Sequence, residues 1–112
     1  MLLKLDSPKL LADIVSIISE LVTEVKLKVT PEGMSVTAID PANVAMAYFK
    51  MPAEMFSQFQ LEKPEVLGIN LGNLRSVLRR CGLGSSLLLT KEDNLLKLSI
   101  QDRIKRDFSL AL

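Results

Sequence analysis

A chain of 112 residues, 48% apolar and only 4% aromatic, is one ordinary domain with an aliphatic core of Leu, Ile, Val and Met, which excludes a disordered segment. Fourteen Lys and Arg against thirteen Asp and Glu leave a net charge of +1, so the whole molecule is no electrostatic attractor for nucleic acid, and any such binding must come from how charge is distributed. The single cysteine, Cys81, excludes an internal disulfide and suits a reducing cytoplasm, while no basic start followed by a long apolar run predicts a signal peptide or a membrane span.

In chain order, Met1 to Leu5 predicts a short strand, and Asp6-Ser7-Pro8 a helix start with Ser7 as cap and Pro8 in the first turn. From Lys9 to Val22, apolar residues at 10, 11, 14, 15, 17, 18, 21 and 22 fill half of a helical wheel. The other half carries Lys9, Ala12, Asp13, Ser16, Ser19 and Glu20, so an amphipathic helix lies on a sheet. Glu24 to Val29 alternates polar and apolar as a half-buried strand does, and Thr30-Pro31-Glu32-Gly33 turns it back. Met34 to Ile39 and Val44 to Lys50 read as antiparallel strands joined through Asp40, Pro41, Ala42 and Asn43, whose side chains favour a reverse turn. Phe56 to Leu61 is a further strand candidate before Lys63-Pro64.

The same order then begins again. Glu65 to Ile69 is a strand, Asn70 a cap, and Leu71 to Cys81 a helix closed by Gly82 in the left-handed position. Ser85 to Thr90 and Asn94 to Ile100 form a hairpin around Lys91-Glu92-Asp93, and Ile104 to Leu112 is a last strand with Phe108, Leu110 and Leu112 on one face. Strand, helix and three strands therefore occur twice, an α+β fold built as a duplicated β-α-β-β-β unit. If the connections keep their usual hand, the two helices lie on one side of antiparallel sheets.

The run Ala38-Ile39-Asp40-Pro41-Ala42-Asn43-Val44-Ala45-Met46 resembles the first-domain hairpin of archaeal sliding DNA clamps, the proliferating cell nuclear antigen (PCNA) family. Collinear matches are Leu27 to Met34, Leu67-Gly68-Ile69-Asn70-Leu71, Leu74, Leu78-Arg79-Arg80 and Arg106 to Leu112. The resemblance spans residues 1–112 as a single clamp-type domain, similar to the N-terminal half of a two-domain clamp subunit. It implies the DNA-clamp fold and a processivity factor: a trimeric ring threaded on duplex DNA, opened by an ATP-driven clamp loader, tethering DNA polymerase and other replication and repair enzymes in the cytoplasm at the nucleoid.

On the second helix, Leu71, Leu74, Val77, Leu78 and Cys81 share one side, leaving Arg79 and Arg80 outward and Arg75 at the flank, a compact positive surface without an acid. The resemblance implies that these arginines, with Lys9 on the first helix, face the phosphates of threaded duplex, a contact that positions without reading bases. The first helix opposes them with Asp13 and with Glu20, where clamp relatives commonly carry a Lys. The resemblance further places Ile39, Asn43 and Val44 in a pocket for short client peptides. It also makes the strand of Lys105, Asp107, Ser109 and Ala111 and that of Ala45, Ala47 and Phe49 the oligomer edges, open to head-to-tail pairing.

With no histidine and no phosphate-cradling glycine loop, the chain predicts no enzyme, metal or cofactor. Cys81, on the inward side of its helix, reads as a buried small hydrophobe, and Asp6, Asp40, Asp102 and Asp107 have no partner readable from sequence. A second reading is a truncated module of the same fold that never encircles DNA and acts as a decoy, capping a clamp edge or competing for clients.

Overall fold

The computed structural model describes residues 1–39, 42, 46–82 and 84–112, Ile39 by its backbone alone. Its elements run β1 (Leu2–Leu5), α1 (Lys9–Ile18), β2 (Glu24–Thr30), β3 (Gly33–Ile39), β4 (Met46–Pro52), a 3₁₀ turn (Ala53–Met55), β5 (Gln58–Gln60), β6 (Glu65–Asn70), α2 (Leu71–Leu78), β7 (Ser86–Glu92), β8 (Leu95–Gln101) and β9 (Lys105–Ala111). All pairings are antiparallel, in a five-stranded sheet ordered β5-β1-β7-β8-β9 and a four-stranded sheet ordered β4-β3-β2-β6. The duplicated β-α-β-β-β order is present, and the two units exchange their first strands. β1 joins β7 of the second unit, and β6 joins β2 of the first.

α1 and α2 pack against one another on one side of the sheets. Alternation decides which strand residues turn inward: Val25, Leu27 and Val29 are buried while Glu24, Lys26 and Lys28 are exposed. Leu11, Ile14, Val15 and Ile18 of α1 meet Leu71, Leu74, Val77 and Leu78 of α2 in one continuous core with both sheets. Each fully buried Leu contributes about 1.5–3 kcal/mol of transfer free energy, so the inner sides of the helices are fixed by solvent exclusion.

Several boundaries differ from expectation. Ser7 makes no capping bond; Pro8 stands at the N-cap of α1, its carbonyl accepting from the Ala12 N–H at 2.9 Å. The helix ends at Ile18, and Leu10, Ile17 and Leu21 are 42, 64 and 38% exposed, because a helix resting on a sheet covers a narrower strip than the half-wheel the sequence offers. Asn70 does cap α2, its Oδ1 accepting from the Asn73 N–H at 3.0 Å. That helix stops at Leu78, where the N–H groups of Arg80 and Cys81 reach back three residues to Val77 and Leu78. Gly82 lies outside the left-handed region; the Ser85 hydroxyl accepts its N–H at 3.0 Å, and the positive φ of +82° falls on Gly84. The β7–β8 turn is Asp93-Asn94, one residue later than expected, with Asp93 at φ +54°.

Candidate nucleic-acid interface

The asparagine cap and the i, i+4 spacing of Leu74 and Leu78 orient α2 so that its buried side fixes where the arginines go. Arg79 and Arg80 emerge exposed just past the last helical residue, and Arg75, one turn earlier, is half-buried with its Nε shielded and without a hydrogen-bond partner. Beside them runs α1. Lys9, Ala12, Asp13 and Ser16 of α1 border the same groove as Leu78 and Arg79 of α2. The polar sides of the two helices therefore share one surface.

The cations on that surface are not equivalent. Lys9 Nζ lies 2.9 Å from Asp13 Oδ2, one turn along α1 with both side chains exposed, so its charge is offset where it stands. The Arg80 guanidinium sits over the Phe108 ring of β9 at 5.3 Å, a cation–π contact of about 0.5–1 kcal/mol at an exposed site. Arg79 is exposed and makes no ion pair among the described residues.

Behind the end of α2 stands a polar cluster that sequence reading missed. Asp102, in the β8–β9 turn, accepts the Ile104 N–H at 3.0 Å, the Ser85 hydroxyl at 2.9 Å and Arg106 Nη2 at 2.9 Å. The Ile104 amide first, then Ser85 and Arg106, hold its carboxyl below the ordinary carboxylate value. Ser85 is itself 2% exposed and accepts from Gly82, so the bonds run from the end of α2 to β9. The signal was present in the sequence: an Asp opening a short turn bonds the N–H two residues on. Cys81 lies past the end of α2 and is only half-buried against the core, not buried within the helix as expected; burial raises its thiol pKa, with the nearby Arg106 acting against that and Asp102 with it.

The remaining predicted residues fall as follows. Lys105, Asp107, Ser109 and Ala111 point outward from β9, which among the described residues pairs only with β8 and is an edge of its sheet. β4 is likewise an edge, with Ala47 and Phe49 half-buried on its inner side. Asn43, Val44, Ala45 and the side chain of Ile39 lie outside the described residues. Met46, just after that segment, was not singled out from sequence and is 68% exposed. Among the described residues no group of three or more His, Cys, Asp or Glu is placed to hold a metal ion, and no helix is long and apolar enough to cross a membrane.

The model of the family "Proliferating cell nuclear antigen, N-terminal domain" matches residues 1–110. Curated relatives include the DNA polymerase sliding clamps of Picrophilus torridus, 37% identical over 106 residues, and of Thermococcus gammatolerans, 35% identical over 108 residues. These alignments cover 95 and 96% of this chain but 42 and 43% of the relatives, so the chain spans less than half the length of the clamps it matches. Among solved structures, a chain of the PCNA2–PCNA3 complex from Sulfolobus tokodaii superposes with a TM-score of 0.94 at 26% identity, covering 98% of this chain and 45% of that one. PCNA from Thermococcus kodakaraensis, at TM-score 0.93 and 23% identity over 98% of this chain and 45% of that one, shares the fold. The duplicated strand-helix-strand order, the paired helices and a family match over nearly the whole sequence lead to one conclusion: the chain belongs to the PCNA family, as its N-terminal domain.

Proposed function

We propose that residues 1–112 form the N-terminal domain of a DNA polymerase sliding clamp, a processivity factor that encircles duplex DNA and tethers replication and repair enzymes. The observation that carries this is the common surface of α1 and α2, on which Arg79 and Arg75 make no ion pair among the described residues while Asp13 holds Lys9 and the Phe108 ring holds Arg80. Few available charges suit the task. Each phosphate contact adds about 0.9 to the salt dependence of binding, and a device that holds DNA by topology is slowed by every contact that must break as it moves.

In this reading Arg79 and Arg75 meet phosphates, Arg80 supports the helix end against β9, and Lys9 acts weakly through its pair with Asp13. No bond is made or broken, and no metal or cofactor takes part. Ile39, Asn43 and Val44 contribute to the groove for client peptides of polymerase, clamp loader and other enzymes. The exposed edges of β9 and β4 pair with neighbouring clamp domains, as in a homotrimer of two-domain subunits.

The test is retention on DNA after loading with a clamp loader and ATP. A closed ring stays on circular duplex and runs off the same duplex once it is linearised, and R75E/R79E/R80E abolishes retention on circles. Equal retention on both forms, or loss of clients without any DNA dependence, favours the interaction module that never encircles DNA.

A further inference from the structure

Four strands end the two sheets: β4 and β6 in one, β5 and β9 in the other. β4 and β9 are taken up by neighbouring domains in the reading above, and β5 is three residues long. That leaves β6, six residues from Glu65 to Asn70, paired with β2 alone among the described residues. Native edges of this length are guarded by Lys, Pro or a bulge, and β6 has none of these: its register is unbroken, and Val66, Gly68 and Asn70 face outward, with Val66 58% exposed. Both ends of the strand are held. Glu65 Oε2 accepts from Lys91 Nζ of β7 at 3.1 Å, and the Leu71 N–H, next in sequence, donates to the Thr23 carbonyl at 2.8 Å. The edge is thus a fixed template, and the cost of ordering falls on the incoming segment alone.

Register gives the template its chemistry. Gly68 lies abreast of Lys26, and Val66 abreast of Lys28. Nothing stands within 4 Å of where a Gly68 Cβ would be, so the space over Gly68 opens toward Lys26. Lys26 and Lys28 are exposed and make no ion pair among the described residues, and Glu24 is the only carboxylate among the described outward-facing residues of this sheet.

We propose that β6 takes on an extended segment of a partner protein as a fifth, antiparallel strand, with an acidic residue opposite Gly68 and an apolar one opposite Val66. The assignment is independent of the DNA surface and of the client groove. A strand added beside β6 lies two spacings from β2, about 9.6 Å, within the joint reach of a glutamate and a lysine when no side chain stands between them. Gly68 supplies that clear path. Two positions further along, the apolar side chain lies against Val66, the cross-strand contact that stabilises antiparallel pairs. The antiparallel direction, that of the described pairings, sets the order acid-x-apolar. Main-chain bonds supply the hold, and Lys26 supplies the preference. A second copy of β6 fits less well, because it would bring two lysine-bearing faces together without an acid between them. A nucleic-acid strand offers the edge no ladder of amides.

The experiment titrates the full chain into two labelled peptides, Thr-Val-Glu-Val-Val-Thr and its counterpart with Gln for Glu, read by fluorescence anisotropy. The acidic peptide should bind about threefold tighter at low salt and lose that advantage at high salt and in Lys26→Gln, a change at an exposed side chain that keeps the fold. Gly68→Val closes the path and should likewise remove the preference, its urea midpoint showing that the chain is folded. N-methylation of alternate peptide residues should abolish binding in one phase and spare it in the other, as a ladder along one edge requires. Equal binding of the two peptides, a preference that survives Lys26→Gln, or indifference to N-methylation in both phases overturns the proposal. So does a chain that sediments as a dimer which the peptide dissociates, since the edge then belongs to a second copy.

Discussion

Gly33 is where the fold is least tolerant of a side chain. It opens β3 at φ +144°, paired with Thr30 on one side and Pro52 on the other. A Cβ placed there would stand 2.2 Å from the Met51 carbonyl oxygen, 2.9 Å from Pro52 Cα and 3.0 Å from the Ala53 nitrogen. All three are backbone atoms, and the segment is pinned because the Ala53 N–H donates to the Glu32 carbonyl at 2.9 Å. Gly33→Ala therefore adds backbone strain of about 1–3 kcal/mol to a steric cost of about 1–3 kcal/mol. Their sum, about 2–6 kcal/mol, is a large part of the 5–15 kcal/mol typical of a domain. At about 4–8 °C per kcal/mol, even the lower end lowers Tm by roughly 10 °C. Urea denaturation followed by far-ultraviolet circular dichroism reads the change as a lower midpoint at constant slope. Gly68→Ala is the control, with no positive φ and open space around the added methyl, and should be neutral or stabilising by about 0.4–1 kcal/mol. A G33A protein within about 0.5 kcal/mol of the parent refutes the reasoning.

Three further outcomes follow from the helix surface and the cluster behind it. Asp13→Ala releases Lys9 and should steepen the fall of log affinity for duplex with log salt by roughly 0.9, while Arg79→Ala should flatten it by a similar amount; unchanged slopes in both would remove the two helices from the DNA side. A double-mutant cycle of Arg80→Ala and Phe108→Leu should return a coupling of about 0.5–1 kcal/mol in chemical denaturation, and zero coupling denies the cation–π contact any energetic role. Because the folded-state pKa of Asp102 is depressed, the stability it supplies is present above its unfolded value of 3.8 and is lost as pH falls through the lower folded value. The Tm gap between the parent and Asp102→Asn should thus be full at neutral pH and shrink in acid, and a gap independent of pH contradicts the assigned bonds.

Residue patterns made the architecture legible where one periodicity acted alone. Glu24 to Val29 alternates without interruption, so β2 and its buried side were readable, and the β6–α2 junction was readable because Asn70 both ends a strand and caps a helix. Prediction failed where two local signals competed. Ser7 and Pro8 both favour a helix start, and only packing decides that the proline takes the cap; Gly82 and Gly84 both offer a left-handed stop, and the Ser85 side chain decides between them. At the candidate site the outward placement of Arg79 followed from the helical wheel. The partners of Lys9 and Arg80 divide differently: Asp13 is a local i, i+4 neighbour, whereas Phe108 comes from a strand distant in sequence, brought close by sheet order that residue patterns do not encode.

The exchange of first strands governs how the chain acquires its shape during synthesis. β1 precedes the other strands in the sequence, yet its partners are Gln58–Gln60 and Ser86–Glu92, so its backbone groups are paired only once those later segments exist. β2, β3 and β4, by contrast, zip up with their immediate neighbours as they emerge. β1 consequently locks only once β7 has been made, and through it the two halves of the duplication are tied together, so neither completes its sheet without the other.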